Sequence, residues 1–187
     1  MLISQFDCGD DDLNEFFNTD ALMYQEQLIG QTYAFTLDSE PTKIVCAFSV
    51  SNDSLRVDNI PNSRRKKVIK PIPHTKIFPA FPAVKIGRLG VDVNFRGFDI
   101  GAQLMDFIKA WFVEDANKTG CRFITVDAYN NDKAKSYYER NGFDYLFGSE
   151  QSELEHINES RNENRQLPEL QTRIMYFDLI KLKTTST

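Results

Sequence analysis

The chain is poor in the residues that build disulfide frameworks and metal centres, with three cysteines and two histidines among its 187 residues. Cys8, Cys46 and Cys121 are odd in number and far apart, so we expect no disulfide framework and a reducing, cytoplasmic location. His74 and His156 lack the spacing of zinc ligands, and we expect no metal site. Cys121 has no histidine in a recognisable arrangement with it, which favours a buried thiol over a nucleophile.

Long apolar runs are also missing. No stretch of ~18 apolar residues is present, which excludes a membrane-spanning helix. The segment from Met1 to Asp7 has no basic stretch followed by an apolar core, so no signal peptide is expected. The net charge of −5 argues against nucleic-acid binding driven by total charge, although a local basic patch stays possible.

Two familiar phosphate-binding loops are absent as well. There is no G-x-x-x-x-G-K-[ST] motif, which argues against a nucleoside triphosphatase. There is also no G-x-G-x-x-G followed ~20 residues later by a ribose-binding acid, which argues against a dinucleotide-binding fold. The size, the 41% hydrophobic content and the 15 phenylalanines instead predict one globular domain over residues 1–187, with no internal repeat.

The most informative stretch runs from Ile86 to Met105 and predicts a strand, a turn and a helix. Apolar residues alternate from Leu89 to Val93, and helical spacing follows a loop that contains Gly97 and Gly101. The first N–H groups of such a helix are unpaired and lie at the positive end of its dipole. The stretch therefore predicts a phosphate-binding cradle, with a tight strand–helix turn that binds no ligand as an equally weighted alternative.

This stretch resembles motif A of the GNAT acyltransferases, L-x-V-x-x-x-[YF]-[RQ]-[GR]-x-G-[IVL]-G-x-x-L. The matching residues are Leu89, Val91, Phe95, Arg96, Gly97, Ile100, Gly101 and Leu104. Asp99 replaces the usual first glycine; because aspartate tolerates left-handed backbone, we expect an effect on cofactor affinity and not on the fold. The resemblance implies acetyl-CoA as the cosubstrate, bound by Leu89, Gly90, Val91, Arg96, Gly97, Phe98, Asp99, Ile100, Gly101 and Ala102.

A second GNAT signature, N-x-x-A-x-x-x-Y-x-x-x-G-F, follows about 35 residues later. It is matched by Asn131, Ala134, Tyr138, Gly142 and Phe143, on a helix that is expected to be capped at its start and to end at the glycine. The resemblance implies Tyr138 as the general acid that returns a proton to the departing thiolate. A tyrosine packed in the core is the alternative. Asn130 or Asn131 is expected to contact the cofactor, and the doubled asparagine leaves the choice open.

The N-terminal segment carries a third resemblance, to a GNAT branch whose chains begin F-x-C-G-x-x-x-L-[DN]-x-[FW]-[FL]. That branch includes bacterial toxins that acetylate aminoacyl-tRNA. Here Phe6, Cys8 and Gly9 precede three aspartates, which suit a helix N-cap and first turn. The apolar positions that continue at helical spacing are Leu13, Phe16, Phe17, Ala21, Tyr24 and Leu28.

The other segments complete an expected α/β (α+β) GNAT fold. Its mixed, mostly antiparallel sheet has six to seven strands and a parallel βαβ core splayed at the acetyl-CoA site. We expect a core over about 1–147, a polar excursion that is mobile or partly helical over 148–170, and a last strand over 173–182. The helix after motif A is expected to run to Gly120 with an aromatic stripe in the core. The basic cluster at 61–67 favours a solvated loop over a phosphate contact.

Together these features predict an acetyl-CoA-dependent N-acetyltransferase acting on a primary amine, with aminoacyl-tRNA as the leading acceptor. A small-molecule or protein amine is the first alternative, and a non-catalytic acyl-CoA sensor is the second. No general base is evident, because Val126 occupies the position where a related enzyme has glutamate and Asp127 should face the opposite way. The resemblance also leaves room for an antitoxin partner and a homodimer.

Overall fold

The computed structural model describes residues 5–58, 60–72, 78–117, 119–159 and 168–183. Seven α-helices lie in these ranges, separated by strands and by two short helical segments of other kinds. The α-helices are α1 (Asp11–Glu15), α2 (Ala21–Glu26), α3 (Asn62–Ile69), α4 (Ile100–Val113), α5 (Asp132–Arg140), α6 (Glu150–Glu159) and α7 (Ile180–Lys183). A π-helical segment (Phe16–Asp20) joins α1 to α2, and a 3-10 turn (Val93–Phe95) precedes α4.

Six strands form one mixed sheet in the order β1-β2-β3-β4-β6-β5. They are β1 (Gln31–Leu37), β2 (Glu40–Arg56), β3 (Ala80–Val91), β4 (Phe123–Tyr129), β5 (Asp144–Tyr145) and β6 (Thr172–Asp178). The pairs β1–β2, β4–β6 and β5–β6 are antiparallel, and β3 and β4 are the parallel pair that the crossover through α4 requires. The predicted strand number and mixed character are confirmed.

The chain divides into two compact units, and two of the strands pass through both. The first unit comprises Met1–Asn52 and Val84–Asn117, and the second comprises Asp53–Ala83 and Lys118–Thr187. The single domain over residues 1–187 stays a prediction. Among the described residues, no helix has the length and apolar character needed to cross a membrane.

The core of the first unit is built on α4 and on the first hairpin. Leu104, Met105 and Ile108 are the buried apolar positions of α4. The aromatic stripe is only partly in the core, because Phe107 is 42% exposed although its ring lies 5.0 Å from that of Phe35. The predicted helix end at Gly120 is wrong: α4 ends at Val113, since the following Glu114 is already extended.

In the second unit, α3 covers an apolar cluster, and this overturns one expectation. The basic cluster predicted as a solvated loop is helical, with Val68 of α3 only 3% exposed in the core. Val68 and the partly buried Ile69 are the residues of α3 that pack against the cluster, and two adjacent apolar residues give no helical periodicity. The other buried members of the cluster are Leu55, Val57, Ile60, Phe81, Ala83, Phe123, Leu146, Phe147 and Tyr176.

The polar excursion contains α6, whose inner face carries a buried charge. Glu153 has no exposed surface, and its carboxylate accepts hydrogen bonds from the Arg173 Nε at 2.7 Å and from the Ile174 N–H at 2.6 Å. Strand β5 pairs with β6 at Met175 and Tyr176 and then ends. The Glu153 carboxylate therefore accepts the hydrogen bond of the next N–H along β6, that of Ile174, in place of a strand partner. Residues 160–167, like His74, lie outside the described residues.

The last predicted strand is too long. Strand β6 ends at Asp178, and its carboxylate accepts a hydrogen bond from the Ile180 N–H at 3.2 Å. That contact caps the start of α7, so the predicted continuation to residue 182 is wrong. The alternating apolar pattern extends beyond the strand because Leu179, the residue that follows it, is also buried.

Glu153→Ala is expected to lower the free energy of unfolding by about 3–5 kcal/mol, because Arg173 would keep a buried charge without its closest partner. Urea denaturation followed by circular dichroism measures this loss. Glu155→Ala on the same helix is the control and should change stability by less than about 0.5 kcal/mol, since Glu155 is exposed. A loss below about 1 kcal/mol in Glu153→Ala would contradict a structural role for the pair.

Candidate active site

The N-terminal segment is fixed to the first helices by two asparagines one turn apart. Asn18 accepts a hydrogen bond from the Phe6 N–H at 3.0 Å and donates to the Phe6 carbonyl at 2.8 Å, as a neighbouring strand would. Asn14 accepts a hydrogen bond from the Cys8 N–H at 2.8 Å, and Asp10 caps α1 through the Leu13 N–H. These contacts give the N-terminal motif a structural purpose, because they hold two buried side chains, Phe6 and Cys8, in place.

Those two side chains lie against strand β3 at Gly90. A Cβ atom built on Gly90 would stand 3.1 Å from both the Phe6 Cζ and the Cys8 Cβ. Almost any side chain at this position would therefore push the N-terminal segment off the strand. Gly90 is a packing glycine that joins the N-terminal motif to motif A, and the sequence alone did not indicate this link.

A 3-10 turn leads from β3 into the loop before α4. Buried Asp92 organises it by accepting hydrogen bonds through Oδ1 from the N–H and the side-chain amide of Asn94, each at 2.9 Å. Its Oδ2 accepts one from the Asp7 N–H at 3.3 Å, and the Val93 N–H donates to the Asp7 carbonyl at 2.8 Å. The turn is therefore anchored on both sides before the loop becomes exposed.

The loop reverses direction through two residues in left-handed conformation. Gly97 has φ +83°, and a Cβ there would meet no atom within 4 Å, so the space in front of the loop is open. Asp99 has φ 59° and ψ 17° at the N-cap of α4, while its carbonyl accepts hydrogen bonds from Ala102 and Gln103. The prediction that aspartate preserves this turn is confirmed.

The amides at the tip of the loop are available to a ligand. Within the described parts of the chain, no hydrogen bond uses the N–H groups of Phe98, Asp99 or Ile100. They precede and begin a helix of 14 residues, whose dipole adds positive charge at this end. Exposed N–H groups beside an open glycine fit a diphosphate, as the resemblance implies.

Arg96 does not face this open space. Its Nη2 donates to the Cys8 carbonyl at 2.5 Å, which ties the motif A arginine to the N-terminal segment. Phe98, by contrast, is 67% exposed at the loop tip. Of the ten residues predicted in motif A, the loop brings Gly97 to Ala102 together around the free amides, while Leu89, Gly90 and Val91 lie on the preceding strand.

In the second unit, the doubled asparagine has two separate structural roles. Asn131 is the N-cap of α5, where its Oδ1 accepts a hydrogen bond from the Ala134 N–H at 2.9 Å. The Nδ2 of Asn130 donates to Glu150 at 2.5 Å and to the Leu170 carbonyl at 3.0 Å. These contacts use the side-chain N–H donors of Asn130, whereas those of Asn131 take no part in them.

Tyr138 is the buried residue of α5, and its ring packs edge-on against Phe143 at 5.3 Å. Burial raises the pKa of the Tyr138 phenol, so it stays protonated through the neutral range. No hydrogen bond to its hydroxyl is formed by the residues that the structure describes. Tyr137, next to it, is half-buried. The arrangement keeps a proton on Tyr138, and the described residues supply no acceptor for its hydroxyl.

The two positions considered for a general base lie next to each other on β4. Val126 is 3% exposed in β4, and Asp127 beside it is exposed, as alternation along a strand requires. Across the described residues, no group of three or more histidine, cysteine, aspartate or glutamate side chains could hold a metal ion.

Comparisons with known proteins agree with this arrangement. Residues 68–145 match the family model of the acetyltransferase (GNAT) domain. The chain is similar to AtaT complexed with acetyl-methionyl-tRNAfMet (TM-score 0.67, 21% identity, covering 99% of this chain and 92% of that one). It is also similar to a mutant of KacT (TM-score 0.62, 21% identity, 98% and 91%) and to AtaTR bound with AcCoA (TM-score 0.63, 18% identity, 99% and 91%). The predicted family resemblance and fold are confirmed.

Asp99→Asn is expected to tighten acetyl-CoA binding roughly threefold to tenfold, because a carboxylate beside the diphosphate contributes about 1 kcal/mol of repulsion. Asparagine keeps the left-handed turn, so only the charge changes. Isothermal titration calorimetry measures the dissociation constant. Asp99→Ala separates backbone strain from charge, and unchanged or weaker binding by Asp99→Asn would contradict the predicted repulsion.

Proposed function

We propose that this chain is an acetyl-CoA-dependent N-acetyltransferase of the GNAT type and that it acetylates the amino group of aminoacyl-tRNA. The observation that carries the choice of acceptor is the cationic face of α3 in the second unit. Arg64 is fixed, because its guanidinium donates to the backbone carbonyls of Tyr145 and Leu146. The cations that follow it in α3 are therefore presented by a helix with a defined position.

Three of those cations have no acidic partner among the described residues. Lys66 and Lys70 are exposed and one turn apart, with the Lys70 N–H bonded to the Lys66 carbonyl, and Arg65 is half-buried beside them. Lys67 alone forms an ion pair, with Asp144 at 2.7 Å. Desolvation works to raise the pKa of Asp144, but the hydrogen bond from Lys67 and the positive charges of Lys67, Lys181 and Arg64 together bring that pKa below its usual value.

Repulsion between neighbouring cations opposes this helix. Like charges one turn apart repel by about 0.2–0.5 kcal/mol per pair, whereas the helix dipole favours Lys66 and Lys67, which lie in the last turn. A chain with a net charge of −5 nevertheless concentrates four cations at positions 64–67. A polyanionic partner would compensate this repulsion, and the phosphate backbone of tRNA has the required chemistry.

The cradle of the first unit fits the diphosphate of acetyl-CoA, which supplies an activated thioester. In the proposed mechanism, the free N–H groups at 98–100 bind the diphosphate and orient the cosubstrate. The backbone of β3 at 89–91 would offer N–H groups to the thioester oxygen, in the position where negative charge develops. The carbon–nitrogen bond to the acceptor forms while the carbon–sulfur bond breaks.

Two protons must move in this reaction. The amine loses one to solvent or to a water chain, and the thiolate gains one from the Tyr138 hydroxyl. Burial raises the pKa of the Tyr138 phenol, which keeps the proton on the hydroxyl until a stronger base such as a desolvated thiolate forms. An aminoacyl ester amine suits a site with no evident base, because an α-amino group already has a pKa near 8 before esterification.

An antitoxin partner, a homodimer and a cytoplasmic location belong to the same proposal.

Tyr138→Phe should lower the rate of thiol release from acetyl-CoA by about 10²–10⁴-fold, because the thiolate would lose its proton donor. Purified protein is assayed with a panel of aminoacyl-tRNAs and free amines, and acetyl-CoA binding is measured in parallel. Tyr137→Phe is the matched control and should retain activity. Turnover only with free amines would favour a small-molecule or protein acceptor, and cofactor binding without any turnover would favour a sensor.

Changing Lys66 and Lys70 to alanine should raise KM for aminoacyl-tRNA about tenfold without changing turnover of a free amine. Removing a cation that binds a phosphate is also expected to reduce the slope of log affinity against log salt by roughly 0.7–0.9. Rates measured between low and moderate salt provide both quantities. An unchanged KM and an unchanged salt slope would exclude this face of α3 from the acceptor interface.

A further inference from the structure

The side chain of Asn130 is completely used by contacts inside the second unit. Its Nδ2 donates to the Glu150 Oε1 and to the Leu170 carbonyl, and its Oδ1 accepts a hydrogen bond from the Lys135 Nζ at 3.3 Å. A side-chain amide has two N–H donors, and both are taken here. Asn130 is therefore held in one orientation by three separate segments of the chain.

Glu150 in turn is supported by a buried cation. The Glu150 Oε2 lies 4.0 Å from the Arg173 Nη1, and Arg173 is held by the buried Glu153 at 2.7 Å. The Arg173 guanidinium also lies over the Tyr145 ring, 4.7 Å from its centroid. Because Arg173 is only 7% exposed and contacted from three directions, it is a rigid support for the half-exposed Glu150.

This chain of contacts ends at the junction between β4 and α5. The Asn130 N–H donates to the Gln171 carbonyl at 2.9 Å, and the next residue, Asn131, is the N-cap of α5. Helix α5 carries Tyr138 less than two turns further on. The orientation of Asn130 therefore fixes the point from which the Tyr138 helix starts.

We propose that Glu150 and Arg173 are positioning residues for Tyr138, acting through Asn130 at the start of α5. This inference rests on the proposed acetyl transfer and gives α6 a purpose in it. Neither residue needs to touch a substrate. A displacement of about 1 Å at a proton donor can cost up to 10²-fold in rate, so a contact at the helix start affects turnover more than cosubstrate affinity.

Glu150→Ala should lower kcat about tenfold and change KM for acetyl-CoA less than twofold, because the helix start loses one of its supports. Glu150→Gln should restore most of kcat, since a carboxamide oxygen can still accept the Asn130 hydrogen bond. The matched control is Glu155→Ala, which removes an exposed glutamate of the same helix; among the described residues, Glu155 accepts one side-chain hydrogen bond, from the Gln151 Nε2 at 2.8 Å. Wild-type kcat in Glu150→Ala, or equal losses in the alanine and glutamine variants, would overturn the proposal.

Hydrogen–deuterium exchange separates this proposal from the proposed function. Amides at 132–140 should exchange faster in Glu150→Ala than in wild type or Glu155→Ala, whether or not the protein acetylates aminoacyl-tRNA. Faster exchange would support the positioning role even if no acceptor tested is acetylated. Unchanged exchange over 132–140 would overturn it.

Discussion

The constraint on which this structure depends is that a backbone N–H group removed from water needs an acceptor. Side chains satisfy that need where strands end. In the first unit, Asn18 bonds both backbone groups of Phe6; in the second, buried Glu153 accepts the Ile174 N–H beyond the end of β5. In both places a polar side chain replaces a missing strand, and it connects a surface helix to the segment that helix must hold.

The start of α4 is the informative exception. There the N–H groups at 98–100 have no acceptor among the described residues. Because the loop is exposed, water can accept their hydrogen bonds, and leaving them unpaired carries no desolvation penalty. Everything around them is fixed: Asp92 anchors the preceding turn, and Asp99 takes a left-handed conformation that aspartate adopts at a small cost. Rigid support around unpaired donors is what a preorganised anion site needs, because binding then requires little reordering.

Local features of the site were predictable from the sequence, and contacts over long separations were not. The left-handed turn at Asp99 and the cap at Asn131 follow from residue types that have few conformational alternatives. The helical state of the basic segment depends on packing two adjacent apolar residues, Val68 and Ile69, against an apolar cluster. The role of Glu153 depends on Arg173, which is 20 positions away in sequence but adjacent in space. The spacing of residues in the sequence reveals neither this helix nor this ion pair. The doubled asparagine shows the same limit, because only the fold distinguishes a cap from an anchor.

The net negative charge of the chain and the local positive charge of α3 have different effects on a polyanionic partner. A negative chain repels polyanions at long range, which weakens binding to nucleic acid in general. A rigid helix that presents uncompensated cations still attracts phosphates at contact distance, where local charge outweighs net charge because salt screens interactions beyond about 8–10 Å. Fixing Arg64 to backbone carbonyls is part of this arrangement, since it commits one cation to structure while Lys66 and Lys70 stay exposed. In the proposed function, the cations of α3 would therefore select a polyanion by contact, and net acidity would contribute to that selectivity by disfavouring other polyanions.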